Sequence, residues 1–273
     1  MVNLEYVKKR KRRIVVLIAV IIAIIGLSVL AIVAFLGRNV GTFTVSLNNS
    51  DIRLSLSESR SFQDSTSFLR INDVKKFQEY TYQSLPSDQQ LDNEENSYLY
   101  GANYDENNKI QSMNFFKYTF YVKNVSNVSA SYDMNFEITD NHAARDGRYL
   151  DDTLRVMVYE NNDDELSSSH NKTVYAKKAA IANRTAEGDK VFNEYISTNY
   201  SQADEDHPCY GLAETFESET KIASLKVKNF NKDEVKRYTV VTWLEGYDPQ
   251  SNGNAPEGAK IKIGVKINAY ENE

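Results

Sequence analysis

Three stretches of the chain alternate apolar and polar residues with a period of two, which is the pattern of a half-buried β-strand. In 127–139 the apolar set, predicted to point inward, is Val128, Ala130, Tyr132, Met134, Phe136 and Ile138. The stretch 113–123 repeats the pattern with Phe116, Tyr118, Phe120 and Val122 as its apolar set, and 259–270 repeats it with Ile261, Ile263, Val265, Ile267 and Ala269 on one side. An α-helix with this spacing would spread its apolar residues over every face, so strands are favoured.

Further patterned stretches complete the prediction of an all-β fold. Strands are expected at 41–47, 52–56, 153–160, 172–177, 221–228 and 235–245. About nine strands with little helix are typical of an antiparallel β-sandwich of jelly-roll or immunoglobulin-like type. The short polar connection 124–127 predicts that the strands 113–123 and 127–139 form a β-hairpin.

Segments without alternation are predicted to be loops or short helices. Residues 70–80 are expected to form a short helix capped near Asn72 or Asp73, with Val74 and Phe77 pointing inward. The Ser-rich stretch 58–66 and the polar, acidic stretch 86–109 are predicted to be surface loops. Residues 178–220 form a long polar insertion, with a short helix expected near 189–197, and insertions of this length often carry function.

One segment departs from the period of two because it is apolar throughout. Residues 14–36 hold no charged side chain, and as a helix they would extend about 34 Å, enough to cross a hydrocarbon core of about 30 Å. The run is longer than the apolar region of a secretory signal, and Ala31 and Ala34 lack the spacing of its cleavage site. An uncleaved signal-anchor is therefore favoured over a cleaved peptide, with the lipid bilayer as its partner.

Charge divides the chain at this segment. Residues 1–13 hold six basic residues and one acidic residue, whereas the part after the span holds 26 basic and 37 acidic residues. A basic block directly before a span keeps the N-terminus in the cytoplasm. The predicted organisation is a cytoplasmic tail at 1–13, a transmembrane helix at 14–36 and an extracellular domain at 37–273. The net negative charge of that domain argues against nucleic-acid binding.

Cysteine and asparagine content bear on the compartment. The single Cys209 excludes an intramolecular disulfide and is expected to be a free thiol without a catalytic role. Six Asn-x-Ser/Thr triplets begin at Asn48, Asn124, Asn127, Asn171, Asn183 and Asn199. They are glycosylation acceptors in a eukaryotic secretory protein. A eukaryotic exported domain of this size would usually carry disulfides, so a bacterial surface without glycans is favoured.

The inventory of catalytic residues is poor. The only histidines are His142, His170 and His207, and none belongs to an H-E-x-x-H arrangement. A nucleophile elbow and a phosphate-binding loop are also absent from the sequence. The acidic groups Asp140, Asp146, Asp151–Asp152, Asp163–Glu165 and Asp204–Asp206 are interpreted as solvated loops, with structural calcium as the alternative. No catalytic, cofactor-binding or metal-ligating residue is assigned, and no cofactor is expected.

The C-terminal part carries the most specific motif. Trp243-Leu-Glu-Gly-Tyr-Asp-Pro249 ends one alternating strand and is followed by a Gly-bearing turn and the last strand. With Gly41–Leu47, Ile52–Glu58 and the run from Tyr121 to Tyr132, it resembles uncharacterised single-pass surface proteins of Gram-positive bacteria. More distantly, the chain is similar to the camelysin and biofilm-matrix fibre-subunit family. That resemblance implies an exported jelly-roll-like sandwich that polymerises by strand exchange, although the apolar segment here looks uncleaved. Camelysin has been described as a protease, but no metal-site motif carries that activity over.

The motif itself has a structural interpretation. Trp243 is predicted to share a strand face with Val241 and Thr239, with Tyr238, Val240 and Leu244 on the opposite face. Apolar residues on both faces favour core packing over a sugar-binding platform. Glu245-Gly246 is expected to end the strand, and the carboxylates of Glu245 and Asp248 to bind loop amides.

The function that the sequence predicts is a non-enzymatic surface module. It would have a structural or protein-interaction role, and its partner would be an unknown surface protein or cell-wall component. Self-association into homo-oligomers is part of this prediction. The alternative is a cell-wall or carbohydrate-binding module that uses exposed loop tyrosines such as Tyr98, Tyr100 and Tyr104. A third hypothesis, a hydrolase, requires a histidine within hydrogen-bond reach of a carboxylate, beside a nucleophile in a cleft.

Overall fold

A computed structural model describes residues 41–48, 52–74, 77–92, 98–104, 106–107, 110–162, 171–177, 183–185, 188–190, 194–196, 210–246, 248, 250–251, 253 and 255–271. The chain divides into two compact units, Met1–Asn39 and Val40–Glu273, and every described residue belongs to the second. The predicted cytoplasmic tail 1–13 and membrane span 14–36 lie outside the described residues, and within the described part no helix is long and apolar enough to cross a membrane.

The fold is all-β. Its strands are β1 (Gly41–Leu47), β2 (Leu54–Ser57), β3 (Phe68–Val74), β4 (Glu79–Tyr80), β5 (Tyr98–Tyr104), β6 (Ile110–Asn124), β7 (Ala130–His142), β8 (Leu154–Asn162), β9 (Lys172–Ala176), β10 (Asn183–Thr185), β11 (Gly188–Lys190), β12 (Glu194–Ile196), β13 (Tyr210–Leu212), β14 (Glu214–Thr215), β15 (Lys221–Phe230), β16 (Val235–Glu245) and β17 (Lys260–Glu271). One short α-helix, Asp88–Leu91, and two 3₁₀ turns, Tyr82–Ser84 and Leu150–Asp152, complete the described elements.

Two sheets hold most of these strands. The first has the order β15-β7-β17-β1-β3, and the second follows the path β14-β9-β8-β16-β6-β2, with β4 on β16 and β5 on β6. The pairs β1–β17, β14–β9 and β16–β4 are parallel, so the prediction of purely antiparallel sheets was wrong. Strands β1 and β17 lie at opposite ends of the sequence, and no short turn between them requires an antiparallel arrangement.

The predicted hairpin at 113–139 was also wrong. Strands β6 and β7 do follow each other, but β6 pairs with β16 in the second sheet and β7 pairs with β17 in the first. The connection 125–129 therefore crosses from one sheet to the other. Alternation identifies a strand and its buried face, but it does not say which strand is its neighbour. Val128, predicted to point inward, lies in this connection and is 48% exposed.

The two sheets contact each other through a large buried cluster. The ring of Phe43 on β1 lies 5.7 Å from the ring of Phe116 on β6, centroid to centroid. The hydroxyls of Tyr132 on β7 and Tyr238 on β16 lie 2.6 Å apart and share a hydrogen bond. The inward sets predicted for the strands 113–123, 127–139 and 259–270 belong to this cluster, with three exceptions. Val128 is exposed, Ala130 is buried outside the cluster, and the half-buried Ala269 packs against it. Period-two alternation therefore identified the core correctly.

Other segments differ from the predictions. The predicted helix at 70–80 is replaced by β3 and β4, because Leu69 and Ile71 pair with Val45 and Phe43 of β1. The predicted loop 86–109 contains the short α-helix and β5, and the predicted helix at 189–197 falls on β11 and β12, which are short strands. The Ser-rich loop 58–66 has no strand of its own and only a bridge from Thr66 to Leu56.

Candidate functional site

The histidines and acidic groups were the first candidates for chemistry. The Nε2 atom of His142 lies 2.8 Å from Oδ1 of Asp140, and the side chain of His142 is 65% exposed. Asp140 also binds Nζ of Lys262 at 2.6 Å, and these contacts hold the pKa of the Asp140 carboxyl below its usual value. His170, His207 and Cys209 lie outside the described residues. A histidine–carboxylate pair is therefore present, but on an exposed strand end.

The acidic groups do not converge on one another in the described part of the chain. Asp146 binds Arg148, and Asp151 and Asp152 both bind the ammonium group of Lys177, at 2.8 and 3.0 Å. The groups 163–165 and 204–206 lie outside the described residues. Among the residues that the structure describes, no three side chains of the His, Cys, Asp or Glu type come together as a metal-holding group.

The W-L-E-G-x-D-P motif is built into the fold on the face of the second sheet that points away from the first. Trp243 is fully buried beside Phe115, Met157 and Val241, while Tyr238, Val240 and Leu244 enter the cluster between the sheets. The predicted division of the two faces and the choice of core packing over a sugar platform are both confirmed. The strand ends at Glu245, as predicted.

The two carboxylates of the motif bind loop amides, as the sequence predicted. Oε2 of Glu245 accepts hydrogen bonds from Nε1 of Trp243 at 2.8 Å and from the backbone N–H of Tyr82 at 3.2 Å. Asp248 accepts the backbone N–H of Gln250 at 2.8 Å. Its other oxygen lies 2.6 Å from the guanidinium of Arg155, and both side chains are almost completely buried. The sequence did not predict this ion pair, because Arg155 looked like one more polar residue in an alternating strand.

Residues 80–92, here called the covering segment, lie over this outer face. Tyr80, Tyr82, Leu85 and Leu91 pack on the cluster around Trp243. Ion pairs fasten the segment at two points, since Asp88 lies 2.6 Å from Nζ of Lys172 and Asp92 lies 3.0 Å from the guanidinium of Arg237. The hydroxyl of Tyr159 donates a further bond to Asp88 at 2.7 Å. The second sheet is therefore buried on both faces in this region.

Two lysines on this face have shifted pKa values. Burial lowers the pKa of Lys117 to about 8, where the Asp92 carboxylate raises it and the Arg237 guanidinium lowers it further. Burial also acts to lower the pKa of Lys172, but hydrogen bonds to Asp88 and Tyr82 outweigh burial and raise it above its ordinary value. Asp88 and Asp92, the carboxylates that act on these two lysines, belong to the covering segment and fasten it to the sheet. We therefore interpret both pKa shifts as properties of the fold.

The best candidate for a functional surface is one end of the strands, defined here as the Val125 end because the β6–β7 connection lies there. Val125 (44% exposed) and Val128 (48%) lie in this connection, and Tyr270 (41%) pairs with Ser131 at the start of β7. Phe68 (49%) begins β3 opposite Ser46, near the end of β1 on the same side of the sheet. They are four of the five large apolar side chains that are exposed in the described part of the chain; the fifth, Tyr149, follows β7 at the opposite end. Exposed apolar groups of this kind mark interaction surfaces when they lie together.

A small cavity opens between the sheets at the Val125 end. Its volume is about 90 Å³, and Leu47, Ile52, Leu54 and Ile267 contribute to its lining. Pockets that bind small molecules usually measure about 300–1,000 Å³. The cavity is therefore too small for a ligand of ordinary size, and the surface around it is better suited to a macromolecular contact.

The sequence did not predict this surface. Val125 and Val128 lie in a connection of otherwise polar residues, and Val128 was placed in the core because it continues the alternation of β7. One feature of the sequence could have indicated this surface: two valines stand in a connection otherwise made of Asn and Ser, although a solvent-exposed turn does not require apolar residues. Tyr98, Tyr100 and Tyr104, predicted on a loop, lie in β5, which pairs with β6; their side chains are outside the described part.

Comparison with known proteins gave no assignment. No protein-family model matches the chain, and no curated protein sequence matches it. The resemblance to Gram-positive surface proteins and, more distantly, to the camelysin and fibre-subunit family therefore stays a prediction from the residues.

Proposed function

We propose that this protein is a single-pass membrane protein whose extracellular domain is a non-enzymatic interaction module of the cell surface. Its N-terminal tail 1–13 is cytoplasmic, residues 14–36 cross the membrane, and residues 37–273 form a β-sandwich of jelly-roll or immunoglobulin-like type. The Val125 end is the surface that contacts the partner, which is another surface protein, a cell-wall component or a second copy of this chain.

The exposure of Phe68, Val125, Val128 and Tyr270 toward one end of the strands is the observation that supports this proposal most directly. Leaving large apolar side chains in water forgoes about 1.5–3 kcal/mol for each one that could be buried. Elsewhere in the described part of the domain apolar residues of this size are largely buried, on both faces of the second sheet. Four of the five exposed large apolar side chains of the described part lie toward one end and only Tyr149 lies at the other, which is explained by a partner that covers the Val125 end.

The sandwich class is supported by contacts between the sheets. Side chains from β1, β7, β15 and β17 of the first sheet and from β6, β8 and β16 of the second enter one buried cluster.

The membrane anchor is supported by the sequence alone, through the uncharged run 14–36 and the basic block that precedes it.

Cross-linking of the full chain in its native membrane tests the proposal. We expect the combined variant Phe68→Ser, Val125→Ser, Val128→Ser to lose most of the cross-linked complexes, at least tenfold by quantitative mass spectrometry. The matched control is Tyr149→Ser, which removes the exposed aromatic side chain at the opposite end and is expected to leave the complexes unchanged. Equal yields from the triple variant and the wild type, at equal unfolding temperature, would contradict the proposal.

A further inference from the structure

Two identical Asn-Val-Ser triplets stand three residues apart in the β6–β7 connection, at Asn124 and at Asn127. An enzyme that reads the Asn-x-Ser/Thr signal in an extended chain meets the same three residues at both places. The folded structure treats them differently, because Asn124 is completely buried and Asn127 is exposed. The two triplets therefore allow a buried acceptor asparagine and an exposed one to be compared within the same chain.

The side chain of Asn124 fixes the crossing of the chain between the two sheets. Its Nδ2 donates both of its hydrogens, to the carbonyl oxygen of Val128 at 2.9 Å and to that of Phe230 at 2.8 Å. Its Oδ1 accepts the backbone N–H of Ser126 at 2.9 Å. The amide thereby ties the β6–β7 connection to the end of β15. In contrast, the exposed side chain of Asn127 accepts a surface hydrogen bond from Lys232, at 3.2 Å.

Glycosyl transfer to Asn124 is incompatible with these bonds. In that reaction Nδ2 bonds to the anomeric carbon of the sugar, the carbon–oxygen bond to the lipid pyrophosphate breaks, and one N–H proton leaves with the released lipid pyrophosphate. One of the two donated hydrogen bonds is lost, and a bulky polar group is placed where the structure leaves no space for it. A buried carbonyl that loses its donor is destabilising by itself, before the displacement of the surrounding strands.

We infer that the folded domain admits a glycan at Asn127 and excludes one at Asn124, although both asparagines stand in the same Asn-Val-Ser signal. A chain modified at Asn124 before folding would lose a bond that fixes the crossing between the sheets, whereas a glycan on the exposed Asn127 leaves these bonds intact. The inference rests on the fold around these two asparagines and not on the partner in the proposed function.

In vitro transfer by a purified oligosaccharyltransferase, with a lipid-linked oligosaccharide as the donor, tests the inference on the full chain in mild detergent. The chain is unfolded in urea, diluted into the reaction so that it is modified before it folds, and then allowed to refold. Protease-resistant and protease-sensitive fractions are separated, and mass spectrometry measures glycan occupancy at each asparagine. We expect occupancy at Asn124 to be at least tenfold lower in the resistant fraction, and occupancy at Asn127 to be equal in both fractions.

A second arm uses the folded chain, so that poor refolding does not leave the question open. Incubation of the never-denatured protein with the same enzyme and donor should modify Asn127 and leave Asn124 unmodified. Glycan at Asn124 in protease-resistant protein with the unfolding temperature of the wild type, in either arm, would overturn the inference. Neither arm depends on complex formation, so unchanged cross-links in the triple variant, which would contradict the proposed function, and failure of this inference are separate outcomes.

Discussion

The indole Nε1 of Trp243 donates a hydrogen bond to Oε2 of Glu245, two residues further along β16, at 2.8 Å. The same oxygen accepts the backbone N–H of Tyr82, so one carboxylate satisfies a buried indole and an amide of the covering segment. Both side chains are almost completely buried. The Trp-x-Glu spacing places the two residues on the same face of the strand, which explains this part of the motif without any ligand.

Replacement of Glu245 by alanine should strongly destabilise the domain. The buried indole N–H and the part-buried Tyr82 amide would both lose their acceptor, and an unsatisfied buried group costs about 1–3 kcal/mol. We expect the free energy of unfolding to fall by about 2–4 kcal/mol, measured by urea denaturation. Glu257→Ala, at an exposed turn residue, is the control and should change it by less than about 0.5 kcal/mol. A change of similar size in both variants would show that Glu245 has no such role.

The ion pair between Arg155 and Asp248 gives a second prediction. Because both side chains are buried, removing one charge leaves the other without compensation, at a cost of about 3–5 kcal/mol. Asp248→Asn should therefore lower the free energy of unfolding by roughly this amount. Asp146→Asn breaks the exposed pair with Arg148 and should leave the free energy of unfolding almost unchanged. If the double variant Arg155→Met, Asp248→Leu is as unstable as Asp248→Asn alone, the explanation by an uncompensated charge is wrong.

The hydroxyl pair of Tyr132 and Tyr238 gives a third prediction, because it joins the two sheets inside the core. Tyr132→Phe or Tyr238→Phe alone leaves a buried hydroxyl without its partner, and each should cost about 1–2 kcal/mol. The double variant replaces both groups by apolar ones of the same shape, so its cost should be smaller than the sum of the two. Urea denaturation of the four proteins gives the coupling energy. Strict additivity would contradict a direct interaction between the hydroxyls.

Strand positions were predictable because each strand buries one face and therefore alternates. Gly41–Leu47 and Val235–Glu245 were predicted to the residue, and β17 to within one residue at each end. Pairing was not predictable, since β6 carries the alternation of a hairpin strand while its neighbours are β16, β2 and β5. Residues 70–80 carry local helix signals, but the pairing of Leu69 and Ile71 with β1 outweighs them.

The candidate surface was less predictable than the fold. Burial of Trp243 followed from apolar residues on both faces of its strand, and this prediction was correct. Exposure of Val125 and Val128 depends on where the chain crosses between the sheets, and that crossing depends on the hydrogen bonds of Asn124. No periodicity in the sequence reports such a crossing. The ion pairs of the covering segment were missed for the same reason, because their partners are far apart in the sequence.

The pKa of Lys117 predicts how stability should depend on pH. Burial lowers the pKa from 10.5 to about 8 in the folded protein, so between pH 8 and pH 10.5 the unfolded chain binds a proton that the folded chain has lost. Stability therefore rises with pH across this window, by up to about 3 kcal/mol at 1.36 kcal/mol per unit of pKa. The tyrosines act in the opposite direction above about pH 10, because burial raises the pKa of Tyr132, Tyr159 and Tyr238.

The measurement is urea denaturation of the wild type and of Lys117→Met at pH 7.5, 8.5 and 9.5. We expect the free energy of unfolding of the wild type, relative to the variant, to increase steadily over this range. Lys226→Met, at an exposed residue of β15, is the control and should follow the wild type. Parallel curves for the wild type and Lys117→Met would mean that Lys117 keeps its proton throughout. A fall of the wild-type curve relative to the variant would mean that the Asp92 carboxylate outweighs burial and raises the pKa of Lys117 above 10.5.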